Sequence, residues 1–157
     1  MKNPLTGVIT ALVLIGGWSA AAAPANKALA QQLVEEAMAK HPQVSGVELS
    51  STLPGKSCVT IASTDAKDLG EKCDEDEFAA MKTNKPFVEK EKEEGKEIYD
   101  ITMPLHDAAG KLIGTVGLDF KPGPIQQEPE VVALAKQVVR EMESQVPTKD
   151  KLFEPAK

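Results

Sequence analysis

The chain has 157 residues, a formal net charge of −6 at neutral pH, two cysteines and two histidines. The acidic balance excludes a general attraction for nucleic acid or anionic membranes. The length suits one hydrophobic core and requires no second domain.

Lys2 is followed by an apolar run over residues 7–15, then Trp18 and small residues ending in Ala23-Pro24-Ala25. This charged, apolar, small-residue order is that of a secretory signal peptide. The apolar run is about half the ~20 residues of a membrane-spanning helix, so residues 1–25 are expected to be a cleaved leader and not a retained anchor. A cut after Ala23 would place Pro24 across the scissile bond, which makes Ala25 the preferred last leader residue. No cysteine near this boundary offers a site for lipid attachment. The remaining domain is expected at 26–146, with a polar tail at 147–157 expected to be disordered. Loss of Lys2 makes the mature chain one charge more acidic, and the product is expected to be periplasmic or secreted.

The segment from Asn26 to Lys40 carries Leu29, Leu33, Val34, Ala37 and Met38 at helical spacing, with Asn26 as an N-cap. His41-Pro42 ends it, because the residue before proline is pushed out of the α region. Extended segments follow at Val44–Ser50 and, past a Pro54-Gly55 turn, at Ser57–Ser63, where Val59 and Ile61 alternate with Cys58, Thr60 and Ala62. Asp74–Lys82 reads as a short helix capped by Asp74, with Phe78 and Met81 as its buried side. Lys85–Lys90 is again extended, and the charged run Glu89–Lys96 discourages edge-to-edge pairing.

A long hairpin then dominates the chain. Tyr99, Ile101, Met103 and Leu105 alternate with Asp100, Thr102 and Pro104, the two-residue period of a strand with one apolar face. Residues 107–110 supply a tight turn, in which Asp107 can bond its own backbone and Gly110 can take positive φ. The return arm is Leu112–Phe120. Glu128–Gln145 closes the domain as an amphipathic helix with Val131, Leu134, Ala135, Val138 and Met142 on one stripe. Five strands joined mostly by short connections, with helices gathered at the ends, predict an α+β fold built on an antiparallel sheet.

The order HPQVSGVELS, then CVTIAS with DLGEKCD, then NKPFVEKE and finally YDITMPLHDAAGKLIGTVGLDF resembles the extracytoplasmic Cache domains, the PAS-like sensor modules of bacterial receptors. The resemblance covers about 80 residues, from His41 to Phe120. It implies a five-stranded antiparallel sheet with a long N-terminal helix and a small-molecule site between the sheet and the segment crossing it. Cache domains sit between two transmembrane helices, and here no second one follows, so a soluble module acting through a membrane-bound signalling partner is the expected arrangement.

Enzyme chemistry finds little support. His41 and His106 lack the spacing of a metal motif and read as surface or turn residues, and no nucleophile elbow, phosphate-cradling loop or haem motif occurs. The run Asp74, Glu75, Asp76, Glu77 lacks the alternating spacing of a calcium loop and reads as a solvated helix terminus. No catalytic residue, cofactor or metal site is therefore expected. Cys58 and Cys73, an even count in an exported chain, are expected to form a structural disulfide, their fifteen-residue separation being too long for a C-x-x-C redox motif.

Strand alternation sends Asp100 and Thr102 to the face opposite Tyr99 and Ile101, with Thr115 and Asp119 from the return arm beside them and Thr60 on the same wall. If that face is covered, it suits a small ligand with donor groups, an amine or amino acid, or a carboxylate, with which Lys85 could pair. The alternatives are an open solvent face belonging to a disulfide-stabilised structural or partner-binding protein, and a thiol-redox or metal-binding protein. The leader makes a direct prediction: intact-mass analysis of the exported protein should show a chain beginning at Asn26, and retention of Met1 in the membrane fraction would reject it.

Overall fold

The computed structural model describes residues 27–93, 95–121, 123 and 127–156. The expected leader over 1–25 and the Asn26 cap lie outside the described residues. Within them the chain forms α1 (Leu29–Lys40), β1 (Val44–Thr52), β2 (Cys58–Ser63), α2 (Glu75–Thr83), β3 (Phe87–Glu93), β4 (Lys96–His106), β5 (Leu112–Phe120), α3 (Glu128–Glu143) and a terminal 3-10 turn, Lys149–Phe153. The strands make one antiparallel sheet in the order β2-β1-β5-β4-β3. This is the expected α+β architecture.

The hairpin register divides the sheet into two chemically different faces. Tyr99 pairs with Phe120, Ile101 with Leu118 and Met103 with Val116, while Val47 and Leu49 of β1 pair with Leu118 and Val116. Paired residues project to the same side of a sheet, so these side chains form a continuous apolar face. Leu33, Val34 and Ala37 of α1 and Val131, Ala135, Val138 and Met142 of α3 are buried in the same core. Full burial of a Val or Leu side chain contributes about 1.5–3 kcal/mol, and Leu33, Leu49, Ile101, Leu105 and Leu118 are all buried completely or nearly so.

The 147–157 tail departs from expectation. Leu152 is fully buried, Leu29 N–H donates to Glu154 C=O at 2.9 Å, and Ala156 N–H donates to Lys27 C=O at 2.8 Å. Counting polar residues misses this, because one buried leucine and a two-stranded backbone contact between Ala28 and Pro155 hold the segment across the start of α1.

Phe78 also departs from expectation. It is 53% exposed, whereas Ala80 is fully buried, so α2 turns a small residue and its acidic first turn inward. Nor is His41 a surface residue: its ring is buried and bonds Glu141 across 3.1 Å. His106 lies between Glu143 and Asn84, 2.8 Å from each.

Cys58 and Cys73 form the disulfide. It ties the first residue of β2 to the residue preceding the α2 cap. Gly70 N–H to Thr60 C=O at 3.0 Å, Thr60 N–H to Glu71 C=O at 2.9 Å and Cys73 N–H to Cys58 C=O at 3.2 Å fasten the loop between them.

Gly114 sits where the β5 backbone runs tight against Ser50 of β1. A Cβ there would stand 2.1 Å from the Ser50 carbonyl oxygen, a backbone atom that cannot swing aside, whereas a Cβ at Gly117 would meet nothing nearer than 3.7 Å. Gly114→Ala should therefore destabilise the fold by about 1–3 kcal/mol, the usual cost of overpacking. Gly117→Ala should be neutral within about 0.5 kcal/mol. Denaturant unfolding of the two variants checks the contrast.

Candidate functional site

The polar side of the sheet is covered, and what covers it is α2 with the loop before it. Between them lies a cleft of about 140 Å³ whose sheet wall includes Glu48, Asp100, Thr102 and Asp119. Asp68, Asp74, Asp76 and Glu77 supply the opposite wall. Seven carboxylates thus line the cleft, and no Lys, Arg or His stands among its described lining residues.

Each wall follows from local sequence. In β1 the alternation that buries Val47 and Leu49 turns Glu48 to the other face, opposite Gly117. Asp100 and Asp119 are direct cross-strand partners, an arrangement in which like charges repel. Asp74 and Glu77 form a capping box: Asp76 N–H donates to Asp74 Oδ1 at 3.0 Å, and Asp74 N–H donates to Glu77 Oε2 at 2.8 Å. The cap starts α2 and aims its acidic first turn at the cleft.

The electrostatics follow from this crowding. Burial first, then the neighbouring carboxylates led by Asp119, pushes the Asp100 carboxyl up to about 7. Burial, followed by the bond with Asp74, likewise pushes Glu77 up to about 7. Asp74 itself is lowered, chiefly by its side-chain bond to Glu77. Glu48 is raised by burial, although it accepts hydrogen bonds from Thr60 Oγ1 and from Ser50 Oγ, the latter at 3.2 Å. Burial also raises Asp76 and Asp119. Asp119 as a whole is exposed, but its carboxyl is pressed against the β1 backbone: a Cβ on Gly46 would lie 2.2 Å from Asp119 Oδ2. Gly46 is thus a space-making residue of the cleft.

Of the residues singled out by alternation, the structure brings Asp100, Thr102 and Asp119 together in one wall. Thr60 is buried and reaches the cleft only through its bond to Glu48. Thr115 is on the same face of the sheet but fully buried, outside the lining, with an unpartnered hydroxyl. Lys85 is not in the site: it follows Asn84, whose left-handed backbone (φ 53°) ends α2, and its side chain is exposed outside the cleft. The acidic start of α2 is not merely solvated, since Asp76 and Glu77 are partly buried against the sheet. Glu48 was legible from the alternation of VSGVELS, and the D-x-x-E capping pattern marked Asp74 and Glu77, but neither pattern says that a helix lies over the sheet. Among the described residues no group of three or more His, Cys, Asp or Glu side chains is arranged to hold a metal ion.

Neither a protein-family model nor a curated protein matches the sequence. Solved structures do match in fold. A GAF sensor protein from Burkholderia vietnamiensis superposes with a TM-score of 0.54 at 15% identity, over 81% of this chain and 82% of that one. The GAF domain of a two-component sensor histidine kinase from Bacillus halodurans gives 0.51 at 10% identity, over 73% of this chain and 91% of that one. The chain has the GAF/PAS-like fold.

The raised carboxyls make stability depend on pH. Asp100 and Glu77 bind a proton near pH 7 when folded but near pH 4 when unfolded. Between these values the folded state holds more protons, so stability falls as pH rises. The lowered groups, such as Asp74 and Glu36, titrate below this window. Thermal unfolding should show a higher midpoint at pH 5.5 than at pH 8, and Asp100→Asn should flatten the slope.

Proposed function

We propose that this chain is a small-molecule-binding sensor module of the extracytoplasmic, Cache-like kind, with the acidic cleft as its ligand site and no catalytic step of its own. One observation carries the reading: among the described residues, seven carboxylates and no basic side chain line a cleft roofed by a short helix. Desolvated acids without counter-charges are costly to keep ionised, and a ligand carrying an ammonium group would supply the missing charge and take hydrogen bonds to Asp100, Asp119 and Thr102. An anionic ligand would meet only repulsion.

Several features support the setting. The fold is shared with proteins described as sensors. The disulfide suits an oxidising compartment, as does the leader-like start of the sequence. No described helix is long and apolar enough to cross a membrane, and in this reading the output passes to a separate membrane-bound partner.

A thermal-shift screen of amines, amino acids and simple carboxylates tests the site. An amine-bearing compound should raise the midpoint of the wild type, and replacement of both Asp100 and Asp119 by Asn should abolish that rise while the variant stays folded. Stabilisation by carboxylates alone, or an undiminished response in the double variant, would reject the site.

A further inference from the structure

The acidic cleft does not stand alone. A second cavity, of about 410 Å³, adjoins it, and Asp100 and Asp119 belong to the walls of both. The chemistry of the second cavity is different. Ile98, which shares the Asp100 face of β4, gives it a hydrocarbon surface, Glu91 adds a separate carboxylate, and Lys121 lines it too, its ammonium donating to the Pro42 carbonyl at 3.3 Å.

We propose that the two cavities form one elongated site for a linear diamine or polyamine. One ammonium sits among the carboxylates beneath α2, a polymethylene chain passes the Asp100–Asp119 pair, and a second ammonium meets Glu91. This inference rests on the reading of the acidic cleft as the ligand site and adds the class of molecule that fills it.

The placement of charge along the paired cavities favours a dication. A single ammonium leaves most of the clustered carboxylates uncompensated, whereas a dication places charges at both ends of the paired cavities. The chain between the charges is partly removed from water against Ile98, which favours binding over a fully solvated chain. An α-amino acid fits worse, because its carboxylate lies within two bonds of its ammonium and would enter the field of Asp100 and Asp119. A divalent metal ion fits worse as well, for it requires several oxygens converging on one point, and no described group of three does so.

Calorimetric titration of the purified protein at low salt provides the test. The probes are α,ω-diamines with three to six methylenes, spermidine, and the n-alkylamines of matching carbon number. The best diamine should bind at least about tenfold more tightly than its alkylamine counterpart, and Glu91→Gln should shrink that ratio to within about twofold. Glu91 is exposed on a strand, so the variant should fold, which circular dichroism verifies. Equal affinity for diamine and alkylamine, or a diamine preference that survives Glu91→Gln, would overturn the two-cavity site. In that case alkylamine binding that disappears in Asp100→Asn would still uphold the acidic cleft. Absence of binding by every amine would overturn both readings.

Discussion

The pairing of Ile101 with Leu118 and of Asp100 with Asp119 is one register with two consequences. Because side chains alternate strictly along a strand, the register that buries the apolar residues against α1 and α3 also forces the two aspartates together on the other side. A slip of one residue would bring carboxylates into the core and leucines into the cleft. The large apolar area on the first face therefore holds in place a charge arrangement that no folding preference would select by itself. The repulsion between Asp100 and Asp119 is tolerated because the core stabilises the strands that carry them.

The helix over the cleft is held by other means. Only Ala80 of α2 is fully buried, and Phe78 projects into solvent, so hydrophobic packing anchors this helix weakly. Its first turn faces the carboxylates of the sheet, which opposes close approach. The capping box, the Cys58–Cys73 bridge and the backbone bonds of the loop supply the remaining attachment. By chain-entropy arguments a bridge across a fifteen-residue loop contributes about 3 kcal/mol, a large share of the attachment for an element with so little apolar contact. The end of α2 reaches the rest of the domain through Asn84, whose side chain meets His106, which in turn bonds Glu143 at the end of α3. The roof of the cleft and the terminal helix are thus joined by one short polar chain.

A shared fold does not transfer a ligand, and sensor folds carry many unrelated sites. The chemistry of this cleft is a property of this chain's own side chains, and the cationic ligand we propose is read from them alone. Several carboxyls raised toward neutrality in a partly dry space form an anionic site whose charge is partly cancelled by bound protons. A cationic ligand that displaces those protons gains electrostatic attraction in a region of low dielectric.

The strand alternation, the D-x-x-G turn, the amphipathic terminal helices, the Asp74 cap and the two faces of the hairpin were all legible in the sequence, because each is set by neighbours two to four residues away. The partnership of Cys58 with Cys73 was legible too, being the only pairing two cysteines allow. The roof over the polar face was not, since the placement of α2 depends on a disulfide, a left-handed residue at Asn84 and contacts between segments far apart in the chain. For the same reason Lys85 was placed in the site and is outside it, Phe78 was placed inside and is exposed, and the final residues were read as loose although Leu152 is buried. Local periodicity determines which face of an element is polar. Only the tertiary structure decides what stands opposite that face, and here it set a second acidic wall across from the first.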